Sequence, residues 1–207
     1  MKVSEPITKI IVQTPERFAQ TVKGVKEVCK APHYRVSDGI SSNLPKFTTK
    51  VNTCSALALS NGADTYVGHY APEFHTSKFF SELERKVKTF QDKTGEPCTG
   101  ILVGGYGYNV KQAGINSVDS FEQLAEIGEL LDKQNVDFSM FGGKLKPLFT
   151  ESLAVFDDAF ILSHERKIGT KTDLLRKDVT KQELDRAFSE NYIVNELSDN
   201  HKLFIEG

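Results

Sequence analysis

Lys46–Tyr70 reads KFTTKVNTCSALALSNGADTYVGHY, and the fold turns on how this stretch is divided. Its last six residues, Thr65 to Tyr70, combine β-branched and aromatic side chains, the composition of a half-buried strand. Gly68 permits close backbone approach just before His69, and Pro72 ends the segment. Upstream, Asn61-Gly62 is a chain reversal. The six residues before it, Ser55 to Ser60, are small and apolar, and periodicity leaves a helix turn and a buried strand equally open. Phe47 to Val51 reads as an extended segment that delivers Asn52, Thr53 and Cys54 into a turn.

That division puts Thr48, Cys54 and His69 in order across a strand, a turn and a second strand. A thiol becomes a strong nucleophile when a base takes its proton, and the base works best when a third group fixes its ring. Cys54, His69 and Thr48 are therefore the candidate catalytic residues, and Asn52, Thr53 and Ser55, which flank the thiol, are candidate substrate contacts.

Outward from the centre, Lys9 to Gln13 is a short strand, and Thr14-Pro15-Glu16 opens a helix with Thr at the N-cap and Pro in the first turn. Phe18, Val22, Val25 and Cys29 recur at helical spacing as one apolar face, which makes Cys29 a buried core thiol. A second helix starts at Thr76 or Ser77, with Phe79, Phe80, Leu83, Val87 and Phe90 as its stripe and Glu82, Glu84, Arg85 and Lys88 toward water. Cys98 to Val103 is an apolar strand entering Gly104-Gly105-Tyr106-Gly107. Asp119 and Glu122 then form a capping box for a helix to about Lys133. Val136 to Phe141 is a strand reaching Gly142-Gly143, and Leu153 to Ser163 is a strand pair turning near Asp157-Asp158. After Lys167 the chain becomes more polar, and the capping box Thr180 to Glu183, ahead of Leu184 and Phe188, predicts a helix there. The expectation is an α+β chain: a layered α/β sandwich of mixed and antiparallel sheets flanked by helices, over residues 1–166, with a C-terminal helical extension over 167–207.

The 207 residues are 39% hydrophobic and 26% charged with a net charge of -2, the balance of an ordinary globular chain. Mean hydropathy is -0.34, and no apolar run approaches the roughly 20 residues of a membrane span. The absence of a basic block argues against nucleic acid and anionic membranes as partners. Cys29, Cys54 and Cys98 form no CxxC pair and are odd in number, against a disulfide framework or a structural zinc site. His33, His75, His164 and His201 lack paired metal-ligand spacing, so no metal or other cofactor is expected. The Gly104–Gly107 run lacks the Lys-Ser/Thr of a phosphate-binding P-loop. The opening MKVSEPITK has no apolar leader core, which points to a cytoplasmic protein or to export by a non-Sec route.

From Lys46 to Ser163 the order of motifs resembles the chemotaxis glutamine deamidases of the CheD family and, more distantly, the catalytic domain of cytotoxic necrotizing factor toxins. In that family a threonine precedes the cysteine by six residues, as Thr48 precedes Cys54, and a histidine follows on the next strand, as His69 does. Here the cysteine follows Asn52-Thr53 where the family usually has Gly-Ser. The resemblance implies a CheD-like fold and a Cys-His-Thr site that converts a protein glutamine to glutamate through a thioester, on a bacterial signalling protein or on a host protein as an effector or toxin. Transglutaminase or methyl-esterase chemistry would use the same thioester, and a catalytically silent binding module with the same fold is the alternative.

Overall fold

The computed structural model describes residues 5–30, 32, 35–72, 76–95, 98–105, 120–142, 149–156, 158–166 and 194–206. Among these the chain is α+β, with two mixed six-stranded sheets and three α-helices.

Strand β1 (Lys9–Gln13) leads into α1 (Pro15–Thr21), where the Thr14 side chain accepts from Arg17 N. This helix is shorter than its apolar spacing suggests. Gly24 adopts φ +89, a left-handed conformation that ends helical geometry, and β2 (Glu27–Val28) follows. Cys29 is therefore no helical residue; its N–H bonds the Phe47 carbonyl. A single 3-10 turn at Val36–Asp38 precedes β3 (Ile40–Ser42) and β4 (Lys46–Val51). The open question at 55–60 is settled as strand: β5 (Ser55–Ser60) is buried at every position and pairs antiparallel with β6 (Thr65–Tyr70).

Helix α2 (Ser77–Asp92) is capped by Thr76, which accepts from Phe79 N. Strand β7 (Thr99–Gly104), helix α3 (Ser120–Lys133) and strand β8 (Asp137–Gly142) follow. Strands β9 (Phe149–Val155) and β10 (Phe160–Arg166) form the expected antiparallel pair. The helix predicted around Leu184 and the Asp119 cap lie outside the described residues. Two strands close the chain, β11 (Val194–Glu196) and β12 (Lys202–Glu206). They enter different sheets: β12 lies parallel to β1 and β11 antiparallel to β8.

The first sheet has the order β12-β1-β10-β9-β4-β2 and the second β11-β8-β7-β5-β6-β3. Their facing sides share one core, to which the first contributes Ile10, Val12, Val51, Leu153, Val155, Phe160 and Leu162 and the second Ala56, Ala58, Val67, Ile101, Val103 and Phe141. A second core joins the other side of the β5–β6–β7 sheet to α2 and α3 through Leu57, Leu59, Tyr66, Leu83, Val87 and Leu124. A third, smaller cluster seats Phe18 of α1 on Ile161 and Ala154. Sequence alternation explains the partition, because successive strand residues point to opposite faces. Lys46 also ties the two sheets together. It is fully buried, and its ammonium donates to Ser42 O at 3.1 Å and Thr65 Oγ1 at 2.6 Å, with Glu27 at 3.6 Å; a buried cation is tolerable when so partnered.

Candidate functional site

Thr48 and His69 come from different sheets and meet in the layer between them. Thr48 Oγ1 lies 2.8 Å from His69 Nδ1 and 2.9 Å from the Cys29 carbonyl oxygen. A carbonyl can only accept, so the Thr48 hydroxyl proton goes to Cys29 O. The Thr48 oxygen must then accept from Nδ1–H, which fixes the neutral imidazole with its lone pair on Nε2. Both side chains are sequestered, Thr48 at 0% and His69 at 1% exposure.

Cys54 reaches the same layer from the end of β4. Thr48 pairs with Leu153 and Val51 with Glu151, so β4 carries one extra residue against β9, and Lys50 there adopts φ 62. Such a bulge bends a strand and re-aims the residues beyond it. His69 is in register with Ala56, and Cys54, two residues before Ala56, shares its face and packs against the inter-sheet core. Cys54 stands in the bend just ahead of β5, on the same inter-sheet core to which β6 contributes Val67. Cys54 is part-exposed, whereas Cys29 and Cys98 are buried.

Glycines hold the Cys54 backbone. Gly105 N donates to Cys54 O at 2.9 Å. Gly104 has φ +106, and a Cβ there would collide with Cys54 O and stand 2.7 Å from Val51 Cγ1. Only glycine allows the strand to pass so close.

Burial separates the three cysteines chemically. Desolvation pushes the Cys29 thiol up to about 12, partly offset by a hydrogen bond with the His69 backbone. Burial likewise raises Cys98 to about 12, partly offset by a bond with the Ser60 backbone. Neither forms a thiolate at neutral pH.

The flanking residues divide. Asn52 and Thr53 lie in the turn, part-exposed. Ser55 is fully buried and alternates with Leu57 and Leu59 toward the helices, on the side opposite Cys54. Sequence reasoning missed Glu151, which is fully buried and alternates with Leu153 and Val155 onto the inter-sheet face. The signal was present: in the strand FTESLAV the glutamate holds an inward position. Among the described residues no group of three or more His, Cys, Asp and Glu side chains is arranged to hold a metal ion, and no helix is long and apolar enough to cross a membrane.

No family model matches the chain, and no curated protein matches it. Among solved structures it is similar to the Bacillus licheniformis hypothetical protein YfiH, at 9% identity and TM-score 0.39 over 62% of this chain and 68% of that one. It is also similar to the Neisseria meningitidis protein NMB0706 of family DUF152, at 12% identity and TM-score 0.35 over 64% and 69%. Neither is a chemotaxis deamidase, and this corrects the expectation of a CheD-like protein. The protein-glutamine deamidase reading, its transglutaminase, esterase and silent-module variants, and the effector or toxin role fall with it. The physical reason is that a six-residue Thr-to-Cys spacing and an order of strands, helices and glycine pairs describe a layer arrangement, and layer arrangements host unrelated chemistries.

Proposed function

We propose that Cys54, His69 and Thr48 form the activated-thiol site of an enzyme. One observation carries the reading: the Thr48 hydroxyl, locked by its bond to Cys29 O, accepts the Nδ1 proton of His69 and leaves Nε2 as the basic nitrogen. This is the orientation that a base serving a nearby thiol requires.

His69 Nε2 takes the Cys54 proton, giving a thiolate–imidazolium pair in which Sγ is the nucleophile. Support comes also from the contrast among the cysteines, since only Cys54 combines exposure with the inter-sheet face that His69 occupies.

The test is the rate of iodoacetamide labelling against pH, read residue by residue by peptide mass spectrometry in the wild type and in His69→Ala. Fast labelling confined to Cys54, with an apparent pKa below the free-thiol value of about 8.5 and lost in the variant, is the expected result. A thiol that titrates near that free value and ignores His69 would falsify the assignment.

A further inference from the structure

A groove of about 880 Å³ runs between the Val36–Asp38 turn and α2, on the far side of the second sheet from Cys54. Val36 and Phe79 form its apolar floor. Four cations line it: Arg35 from the turn, and Lys78, Arg85 and Lys86 from α2. Glu82 is the one acid in the lining, and Ser37, Thr76 and Thr89 add hydroxyls. This concentration of positive charge sits on a chain whose net charge is -2.

A row of basic residues on a helix is ordinarily a solvated face, and three observations set this row apart. The first is that charge enters from both walls, since Arg35 belongs to a different element from the helical cations. The second is the lack of internal compensation. Elsewhere Lys9, Arg17 and Lys93 each meet a carboxylate, on Asp158, Glu206 and Asp64. Among the described residues, Arg35, Lys78, Arg85 and Lys86 form no ion pair within the groove or outside it. The third is the environment of Lys86, whose ammonium stands 4.8 Å from the centroid of the Tyr66 ring. Tyr66 is itself pinned by its hydroxyl to Val36 O at 3.1 Å. Burial, and then the nearby charge of Lys93, lower the Lys86 pKa, with Asp64 opposing; a cation so placed gains when an anion arrives.

We propose that this groove binds a small organic ligand through a diphosphate group, with the guanidinium groups of Arg35 and Arg85 clamping it from opposite walls. Guanidinium forks match phosphate oxygens in pairs, lysines add point charge, and hydroxyls complete the oxygen shell. The volume falls in the range of small-ligand sites, about 300–1,000 Å³, and exceeds what a lone phosphate fills.

Calorimetric titration of the full chain with inorganic pyrophosphate, and in parallel with orthophosphate at matched ionic strength, tests the assignment. Saturable one-to-one binding of pyrophosphate is expected, about tenfold tighter than that of orthophosphate, because a single phosphate cannot span both walls. In Arg85→Ala/Lys86→Ala, a change confined to the groove-facing side of α2, affinity should fall about tenfold or more. Glu82→Gln should tighten binding by about two- to fivefold by removing the opposing charge. Absence of saturable pyrophosphate binding to the wild type, equal affinities for the two anions, or an unchanged affinity in the double variant would each overturn it.

Discussion

His69 and His201 both lie in the layer between the sheets, and their hydroxyl partners make them instructive to compare. His69 meets Thr48 at 2.8 Å; His201, just before β12, meets Ser139 of β8 at 2.6 Å. Both rings are buried, and both present Nδ1 to a hydroxyl. The difference lies one bond further out. Thr48 gives its proton to the Cys29 carbonyl, so it can only accept from His69. Ser139 accepts from Ser198 N at 3.0 Å and keeps its own proton available, so it serves either tautomer of His201. Around His201 the partners are those of a structural clasp: Ser198 and Asn200 both donate to Asp137, the latter at 2.7 Å. A buried hydroxyl–histidine pair is therefore no site by itself. In the proposed reading it becomes one where the tautomer is fixed and a part-exposed thiol packs on the same core.

The largest effect that would break this contrast concerns the backbone cradle, which belongs to the Cys54 end. Gly104→Ala should cost about 3 kcal/mol or more, because the new Cβ meets a carbonyl oxygen at a φ of +106 that side chains avoid. Chemical denaturation checks the cost, and a loss below about 1 kcal/mol would mean that the Cys54 turn can move aside.

Next in size is the proposed base. His69→Ala should slow Cys54 labelling at pH 7 by about 30-fold, the ratio between an ionised thiol and one titrating near 8.5. His201→Ala should leave that rate unchanged, and a similar loss from both variants would erase the distinction between the two ends.

The hydroxyls sharpen the comparison further. Thr48→Val keeps the shape and removes the acceptor, and should slow labelling about five- to tenfold while Cys29 and Cys98 stay unlabelled. Ser139→Ala should lower stability by about 1–3 kcal/mol, the cost of orphaning its buried partners, without touching the thiol. Labelling kinetics and denaturation measured on the same two proteins separate these outcomes.

The smallest effect is a pH slope. Burial lowers the His201 pKa below its ordinary 6.5, with Asp137 opposing. The unfolded chain then binds the proton more readily than the folded one, so this histidine contributes stability above about pH 6.5 and loses it as pH falls toward the folded pKa. Thermal unfolding between pH 8 and pH 5 should show Tm falling on the acid side, with a shallower fall in His201→Gln. An identical slope in both proteins would assign the acid sensitivity to other groups.

Much of the local structure was legible in the residues. Thr14 before Pro15 and Thr76 before Ser77 announce the two helix starts, and both side chains accept the expected backbone protons. The β-branched and aromatic run of Thr65–Tyr70 announces its strand. The apolar spacing through Cys29 misled, because Phe18 to Cys29 keeps a helical period across Gly24, and one left-handed glycine outweighs the period. Ser55–Ser60 could not be assigned from its own composition; six small buried residues satisfy a helix and a central strand alike, and pairing with β6 and β7 made the choice. For the candidate site, the sequence offers the residue types but not their reach. Nothing local signals that the Cys29 carbonyl accepts from Thr48, or that β4 carries an extra residue between Thr48 and Val51.

By itself the sequence determined where two helices begin, which strand faces are apolar, and that a hydroxyl, a thiol and an imidazole follow one another within 22 residues. Those properties come from capping chemistry and side-chain period, which act over a few residues. Only the tertiary structure decided that Thr48 and His69 meet from opposite sheets, that their proton points one way, and that Gly104 closes on Cys54. These depend on strand order and register, which are fixed by burial summed over two sheets and a shared core.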